Sequence, residues 1–202
     1  MSSTLILIAI TTAVSLLAFS NPKLLLELLF WPPALRRGEY QRLLTHGFVH
    51  KDTTHLLFNM LTLYFFGSHV EKFYQAQLGE FGFAFFYVLG IPLAILPSWW
   101  RHRNDEDYRS LGASGAVLAV LFASILFDPW STLLLFFVLP VPAIVFAVGY
   151  VAYSIWSDLR GGGGVNHNAH LWGAAYGVAF TVLLEPRVWG QFLQRLLEPG
   201  LH

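Results

Sequence analysis

The 202-residue sequence contains no cysteine, and only 12% of its residues are charged. The absence of cysteine excludes disulfides, thiolate metal sites and a cysteine nucleophile. Basic and acidic residues balance to a net charge of zero, so no basic field attracts nucleic acid or anionic lipid. Hydrophobic residues make up 55% of the chain instead, and the mean hydropathy is +0.56. This composition lies outside the range of soluble domains and indicates a membrane protein.

Six apolar stretches predict six membrane-spanning helices. A helix needs about 20 residues to cross a bilayer core of about 30 Å, and most of the stretches approach that length. Helix-ending residues such as Asn21-Pro22 and Asp128-Pro129 separate them. The stretches cover residues 4–19, 54–70, 80–100, 112–127, 131–156 and 169–185. We therefore expect an all-α membrane protein with six transmembrane helices in a single domain, residues 1–202.

Three connecting features carry further expectations. Residues 20–52 are too hydrophobic for a plain tether and predict a long interfacial loop after helix 1, with an ordinary structured loop as the alternative. In the fifth stretch, Pro140 and Pro142 predict a kinked helix. The glycine-rich segment 161–164 predicts either a mobile lid or a simple linker.

Polar side chains inside apolar stretches are costly in a bilayer and are therefore functional candidates. In the second stretch, His55, Asn59 and Thr62 have the spacing of one helix face. Ser114 opens the fourth stretch and His170 opens the sixth. In a chain that crosses the membrane six times, the second, fourth and sixth helices begin in the same leaflet. These polar residues are therefore expected at one depth.

Small residues on the fourth and sixth helices predict close packing. Gly173 and Gly177 follow His170 on one face, and Gly115 with Ala119 forms a similar face on the fourth helix. Faces of this kind let two helix backbones approach more closely than leucine faces allow. The serine hydroxyl and the imidazole can then reach hydrogen-bond distance, about 2.6–3.2 Å.

Three segments, in this order along the chain, resemble the rhomboid intramembrane serine proteases of the bacterial six-helix type. They are THGFVHKDTTHLLFN, the GASG around Ser114 and the AHLWGAAYG around His170. The resemblance implies a rhomboid-like bundle in which Ser114 is the nucleophile and His170 the general base of a Ser-His dyad. It also implies that the side chains of His55 and Asn59, with the Ser114 backbone amide, stabilise the oxyanion. The residues expected to pack the helices at the site are Gly112, Gly115, Gly173 and Gly177.

By resemblance, the function is that of a serine endopeptidase that cleaves peptide bonds in or near transmembrane segments of membrane proteins. The expected partners are transmembrane-helix substrates and the lipid bilayer, with no nucleic acid, no metal and no cofactor. The resemblance also implies a multi-pass protein of the bacterial inner membrane, with its active site opening to the extracytoplasmic side. The basic residues argue the other way, because most of them lie in the loops at the end of the bundle where Ser114 is expected.

Two positions depart from the rhomboid pattern. Members commonly carry a tyrosine four residues after the nucleophile, stacked on the base, where this chain has Leu118. The Trp-Arg pair common in the first loop is replaced by Gln41-Arg42. No carboxylate lies within the fourth or sixth helix near His170, and Asp158 precedes it by twelve residues in the glycine-rich loop. We therefore expect a dyad rather than a Ser-His-Asp triad, and the group that orients the base stays open.

Two other functions fit part of the sequence. The first is a metal- or haem-binding membrane protein, which would not need the serine. Its candidate ligands are His46, His50, His55, His167 and His170. The second is a non-catalytic rhomboid-like protein that binds membrane helices, against which the intact Ser114 and His170 argue.

Overall fold

A computed structural model describes residues 2–135, 138–161 and 164–198. Within these ranges the chain is mostly α-helical and includes one short antiparallel hairpin. The helices are α1 Ser3–Ser20, α2 Pro22–Leu28, α3 Pro32–Arg36, α4 Arg42–Thr45, α5 Thr53–Leu78, α6 Gly82–His102, α7 Ser114–Phe127, α8 Ala143–Leu159, α9 His167–Leu184 and α10 Arg187–Leu197. The strands are β1 Thr132–Leu135 and β2 Leu139–Pro142.

Short polar side chains cap the helices that carry the candidate residues. The Asp52 carboxylate accepts a hydrogen bond of 2.7 Å from the backbone N–H of His55 at the start of α5. The Asn166 side chain accepts one of 3.0 Å from the backbone N–H of Ala169 at the start of α9. Each cap satisfies a backbone donor that has no partner within its own helix. The beginnings of α5 and α9, where His55 and His170 lie, are thereby well defined.

Two helices in the described part of the chain, α1 and α6, are long and apolar enough to cross a membrane. The apolar helices α7 and α8 are shorter, with 14 and 17 residues. The mostly helical architecture agrees with the predicted fold class, and six spans remain a prediction. Gly162 and Gly163, half of the predicted glycine-rich lid, lie outside the described residues.

The prediction of one kinked helix over residues 131–156 is wrong in its first half. Residues 132–135 and 139–142 pair as the β1–β2 hairpin, in which Leu133 pairs with Val141, and α8 begins only at Ala143. Pro140 and Pro142 lie in β2, where a two-stranded hairpin leaves an edge that tolerates residues without an N–H. The two prolines therefore lie in a strand and not at a kink within a helix, and α8 is about 26 Å long.

The connection between α1 and α5 is structured throughout. It contains α2, α3, α4 and a 3-10 turn over His46–Phe48. Arg42 of α4 is buried within it and donates hydrogen bonds of 2.7 and 2.9 Å to the carbonyls of Leu26 and Leu29. Its Nε also pairs with Glu39 at 2.7 Å. This arginine therefore ties the connection together, whereas the position of the segment relative to a membrane interface stays a prediction.

Helix α7 lies in the middle of the bundle. It packs against α5, α6 and α9, and most of its side chains are buried. Burial on several sides at once restricts a helix more than contact along a single stripe does. The residue that begins α7, Ser114, is therefore attached to the most enclosed element of the fold.

Candidate active site

The hydroxyl of Ser114 and the imidazole of His170 form a hydrogen bond. Ser114 Oγ lies 2.6 Å from His170 Nε2, although the residues are 56 positions apart in the sequence. Ser114 is the first residue of α7, and His170 lies in the first turn of α9. Both side chains are half-buried, so they remain within reach of a ligand. A serine donating to an imidazole nitrogen at this distance is the arrangement that activates a hydroxyl nucleophile.

Glycines bring α7 and α9 into backbone contact. A Cβ atom on Gly173 would collide with the carbonyl oxygen of Gly115, and one on Gly177 would collide with that of Ala119. On the other side of Gly115, a Cβ atom would lie 2.6 Å from the Cβ of Ala94 in α6. We call the contact of Gly115 and Ala119 with Gly173 and Gly177 the glycine interface. It sets the short distance between the two helices that carry the serine and the histidine.

Gly112 provides space for His55 beside the loop that leads into α7. Its φ is +114°, a conformation that side-chain-bearing residues rarely adopt. A Cβ atom there would also lie 2.6 Å from Cε1 of His55. The His55 ring is held on its other side by His50, whose ring centroid is 5.0 Å away in an edge-on contact. His55 therefore packs directly against the backbone two residues before Ser114.

Asn59 lies one helical turn after His55 and is buried. Its Nδ2 donates a 2.8 Å hydrogen bond to the backbone carbonyl of His55. An amide nitrogen carries two N–H groups, so the second donor is available to another acceptor. The structure thus brings His55, Asn59, Ser114 and His170 to one cavity, without a direct hydrogen bond from His55 or Asn59 to Ser114 among the described contacts.

That cavity is a cleft of about 1790 Å³ between α5 and α8. Its walls are mainly apolar over most of its length. Lining residues include Phe58, Leu61 and Phe65 of α5 and Val145, Gly149 and Tyr150 of α8. We call it the α5–α8 cleft. It reaches from the serine and histidine to the β1 strand, so it is long enough to hold an extended apolar segment of chain.

Two histidines that precede α5, His46 and His50, have structural partners. His50 is fully buried, with Nδ1 2.9 Å from Ser15 Oγ and Nε2 accepting a 3.3 Å hydrogen bond from the backbone N–H of Ala113. Burial lowers its pKa to about 3, chiefly because the charged form would be desolvated. His46 donates from Nδ1 to the carbonyl of Arg42 at 2.9 Å, and burial lowers its pKa to about 4. Both rings are therefore neutral near pH 7, and the hydrogen bonds of His50 link separate parts of the fold.

Among the described residues, the candidate histidine ligands do not come together as a metal site. Across residues 2–135, 138–161 and 164–198, no three His, Cys, Asp or Glu side chains come together in a way that would hold a metal ion. Of the five histidines considered, His46 and His50 already use ring nitrogens in protein hydrogen bonds, and His170 uses both of its own.

Sequence reasoning missed Tyr150, whose Oη lies 2.7 Å from Nδ1 of His170. Asp158, the nearest carboxylate in sequence, instead pairs with Arg101 at 2.7 Å. Leu118, which replaces the stacking tyrosine of the rhomboid pattern, is buried in a cluster that Tyr150 packs against. A tyrosine in an apolar helix 20 residues before the histidine gives no sign in the sequence that the two side chains meet.

Comparison with known proteins shows the family to which the chain belongs. The family model described as the rhomboid domain matches residues 37–187, which runs from the end of α3 to the start of α10. The chain belongs to the rhomboid family. Rhomboid proteins are integral membrane proteins and are generally serine proteases, so the chain is a membrane protein by family as well as by composition.

Several curated relatives support the assignment. The chain is 32% identical over 151 residues to the mitochondrial RHOMBOID-like protein 12 of Arabidopsis thaliana, covering 69% of this chain and 45% of that protein. It is 33% identical over 169 residues to RHOMBOID-like protein 4 of the same plant, covering 80% and 38%. The mitochondrial Rhomboid protein 1 of Saccharomyces cerevisiae is 31% identical over 159 residues, covering 76% and 44%.

The chain corresponds to only part of each of these relatives. The matches span less than half of the length of each of these three relatives. All three come from eukaryotes, and two are named as mitochondrial, so they give no support to the expected bacterial origin. These matches therefore establish the family of the chain.

Proposed function

We propose that this rhomboid-family chain is an intramembrane serine endopeptidase that cleaves peptide bonds in or near transmembrane segments. The observation that supports it most directly is the 2.6 Å hydrogen bond between Ser114 Oγ and His170 Nε2. Family membership adds support, because rhomboid proteins are generally serine proteases of membranes. The substrates proposed are transmembrane-helix proteins of the surrounding bilayer.

In the first half of the reaction, Ser114 Oγ attacks the carbonyl carbon of the scissile peptide bond. His170 Nε2 takes the hydroxyl proton as the new C–O bond forms, because a neutral serine hydroxyl is a weak nucleophile. The tetrahedral intermediate then collapses, the C–N bond breaks, and His170 returns the proton to the leaving amine. The product is an ester between Ser114 and the N-terminal part of the substrate.

The negative charge on the tetrahedral oxygen needs fixed donors. The first backbone N–H groups of a helix have no carbonyl partner within it, so the Ser114 amide at the start of α7 is one such donor. We assign His55 and the second N–H of Asn59 as the others, since both line the same cleft. Loss of one such donor in a hydrolase costs about 100- to 1000-fold in rate.

In the second half, water attacks the ester carbon with His170 as the base, and the serine is regenerated. Water and an extended substrate backbone survive at membrane depth only inside a protein-walled cavity. The α5–α8 cleft offers such a cavity, and its apolar walls suit a segment arriving from lipid. We propose that substrate enters between α5 and α8.

The proposal includes a membrane arrangement. The spans would be α1, α5, α6, α7, α8 and α9, with residues 20–52 at the interface. The start of α7 would open to the extracytoplasmic side, following the family rather than the basic residues. A reporter fused after His202 should then be found in the cytoplasm, and its recovery on the other side would reverse the orientation.

The experiment is cleavage of a fluorogenic transmembrane substrate by the purified chain in liposomes. Ser114→Ala and His170→Ala should each lower the rate by more than about 1000-fold. Ser68→Ala is the matched control, because Ser68 is an exposed serine of a long helix that hydrogen-bonds only to its own backbone. Normal cleavage by Ser114→Ala would refute the proposal.

The same assay separates the alternatives left open by the sequence. A helix-binding protein without catalysis would retain the substrate in pull-down while neither wild type nor variant cleaves it. A metal- or haem-dependent protein would lose its activity with chelation and keep it in Ser114→Ala. No observation in the described structure favours either alternative over the protease.

A further inference from the structure

We propose that Tyr150 is the positioning residue of the base, holding His170 in the tautomer and orientation that accept the Ser114 proton. This inference rests on the proposed function and deepens it. It concerns a residue of α8, a different helix from those that carry the serine and the histidine. A dyad by itself leaves the second ring nitrogen of the histidine without an assigned partner, and Tyr150 occupies that place.

The role of His170 as the base requires one arrangement of its proton. Neutral imidazole has one N–H and one acceptor nitrogen. Nε2 must be the acceptor for the Ser114 hydroxyl, which lies 2.6 Å away. Nδ1 therefore carries the proton and donates it to Tyr150 Oη at 2.7 Å. A phenol oxygen can accept this N–H, so the contact with Tyr150 holds the ring with Nε2 directed at the serine in the tautomer that can take its proton.

Other residues near His170 do not compete for this role. Asp158 is held 2.7 Å from Arg101 by an ion pair. The His167 ring meets the His170 ring edge-on, with centroids 5.9 Å apart, and supplies packing rather than a bond to Nδ1. Leu118 has no polar group. Among the described contacts, Tyr150 is the hydrogen-bond partner of Nδ1.

Aromatic packing holds the phenol ring independently of its hydroxyl. The Phe146 ring stacks on it one turn earlier in α8, with centroids 5.5 Å apart and planes at 24°. Phe122 of α7 contacts it from the other side at 6.4 Å. A Tyr150→Phe substitution keeps these ring contacts and removes only the oxygen. The substitution therefore tests the hydrogen bond with little change in packing.

The hydrogen bond should matter most in the transition state. As His170 takes the proton, the ring becomes positively charged, and its donation to Tyr150 becomes a charge-assisted hydrogen bond. Such bonds are stronger than those between neutral groups, so the oxygen favours the transition state over the bound substrate. Its loss should lower kcat and leave KM unchanged, because Tyr150 Oη is already engaged by the imidazole.

The test compares Tyr150→Phe with wild type at a temperature below both unfolding midpoints, using two readouts. One is cleavage of the transmembrane substrate, resolved into kcat and KM. The other is the rate at which a small fluorophosphonate labels Ser114, which needs an activated serine but no substrate entry. We expect kcat and the labelling rate to fall by about 10- to 100-fold, with KM within about twofold of wild type.

Tyr176→Phe is the matched control. Tyr176 lies on α9, the helix of His170, and its Oη donates a 2.9 Å hydrogen bond to the carbonyl of Phe86, away from the serine. This variant loses a tyrosine hydrogen bond of similar length. Its kcat and labelling rate should match wild type. If Tyr150→Phe slows the reaction no more than Tyr176→Phe does, the positioning role is wrong.

The remaining outcomes are also decisive. A rise in KM at constant kcat, or slow cleavage with normal labelling, would make Tyr150 a substrate-binding or entry residue and overturn the inference. Ser114→Ala in the same assay separates the two proposals. If it is inactive while Tyr150→Phe is normal, only the role of Tyr150 fails. If it cleaves at the wild-type rate, the dyad fails and the positioning role fails with it.

Discussion

The glycine interface and the α5–α8 cleft are opposite kinds of surface in one small bundle. At the glycine interface, helix backbones touch and a single added methyl group has no space. At the cleft, Gly149 of α8 has no atom within 4 Å of where its Cβ would stand, and neighbouring Val145 and Val148 are 53% and 65% exposed. Backbone contact fixes the distance between α7 and α9, whereas a cavity separates α5 from α8.

The difference shows how a bundle can hold Ser114 and His170 at a set distance and still leave space for the substrate proposed above. Backbone contact fixes the separation of α7 and α9 because no side chain can change rotamer to alter it. On the cleft side, α8 contacts α9 but leaves space towards α5. Tyr150 connects the two regions, since it lies on the cleft and contacts His170, which lies one turn before Gly173 of the glycine interface.

Among the changes that test this comparison of the two surfaces, closing the cleft should have the largest effect. The chain has no cysteine, so Leu61→Cys on α5 and Gly149→Cys on α8 would carry its only thiols. A cleavable bifunctional thiol reagent joining them should lower cleavage of the transmembrane substrate by more than about tenfold. Fluorophosphonate labelling of Ser114 should persist, and reduction of the linker should restore cleavage.

Each single-cysteine variant treated with the same reagent is the control for that experiment. Undiminished cleavage by the cross-linked protein would mean that substrate does not pass between α5 and α8. Loss of labelling together with cleavage would instead point to damage at the serine.

Adding a methyl group should change the free energy of unfolding differently at the glycine interface and at the α5–α8 cleft. Gly173→Ala drives a Cβ atom into the Gly115 carbonyl, which cannot move without shifting α7. We expect a loss of about 1–3 kcal/mol of unfolding free energy, the usual cost of overpacking. Gly149→Ala is the matched control and should be neutral or stabilising by up to about 1 kcal/mol, since alanine is the better helix former. Thermal unfolding in detergent measures both, and equal effects would erase the contrast.

Acid should also lower the stability of the protein. His50 is fully buried beside Ala113, and burial lowers its folded-state pKa from 6.5 to about 3. A lowered histidine pKa means that the unfolded chain binds the proton first. The contribution of neutral His50 to the free energy of unfolding is therefore fully present above about pH 6.5. It is lost as the pH falls towards 3, by at most about 1.4 kcal/mol per pH unit. The unfolding midpoint between pH 7.5 and pH 4.5 should report this decline.

His50→Gln keeps a donor and an acceptor at that position without the titrating ring. Whatever it costs at neutral pH, its acid dependence should be weaker than that of wild type by the share of one histidine. Parallel curves for the two proteins would show that His50 does not contribute to acid sensitivity.

Sequence reasoning was strongest where a pattern repeats along one helix. The spacing of His55 and Asn59, and the glycines that follow His170, depend only on helical periodicity and on the small volume of glycine. It failed over residues 131–142, where an apolar run suited both a helix and a strand. In that segment Pro140 and Pro142 lie in β2, which pairs with β1, and two prolines so close together disfavour a helix.

What the sequence determined by itself was membership of the rhomboid family, the predominance of helix and the residues that open α7 and α9. Local chemistry decides these features, since composition, caps and helical periodicity act within a few residues along the chain. Only the tertiary structure decided that Tyr150 meets His170 and that Asp158 does not. The partner of a ring nitrogen depends on how three helices are placed in space, and that placement is the sum of many packing contacts that no single segment encodes.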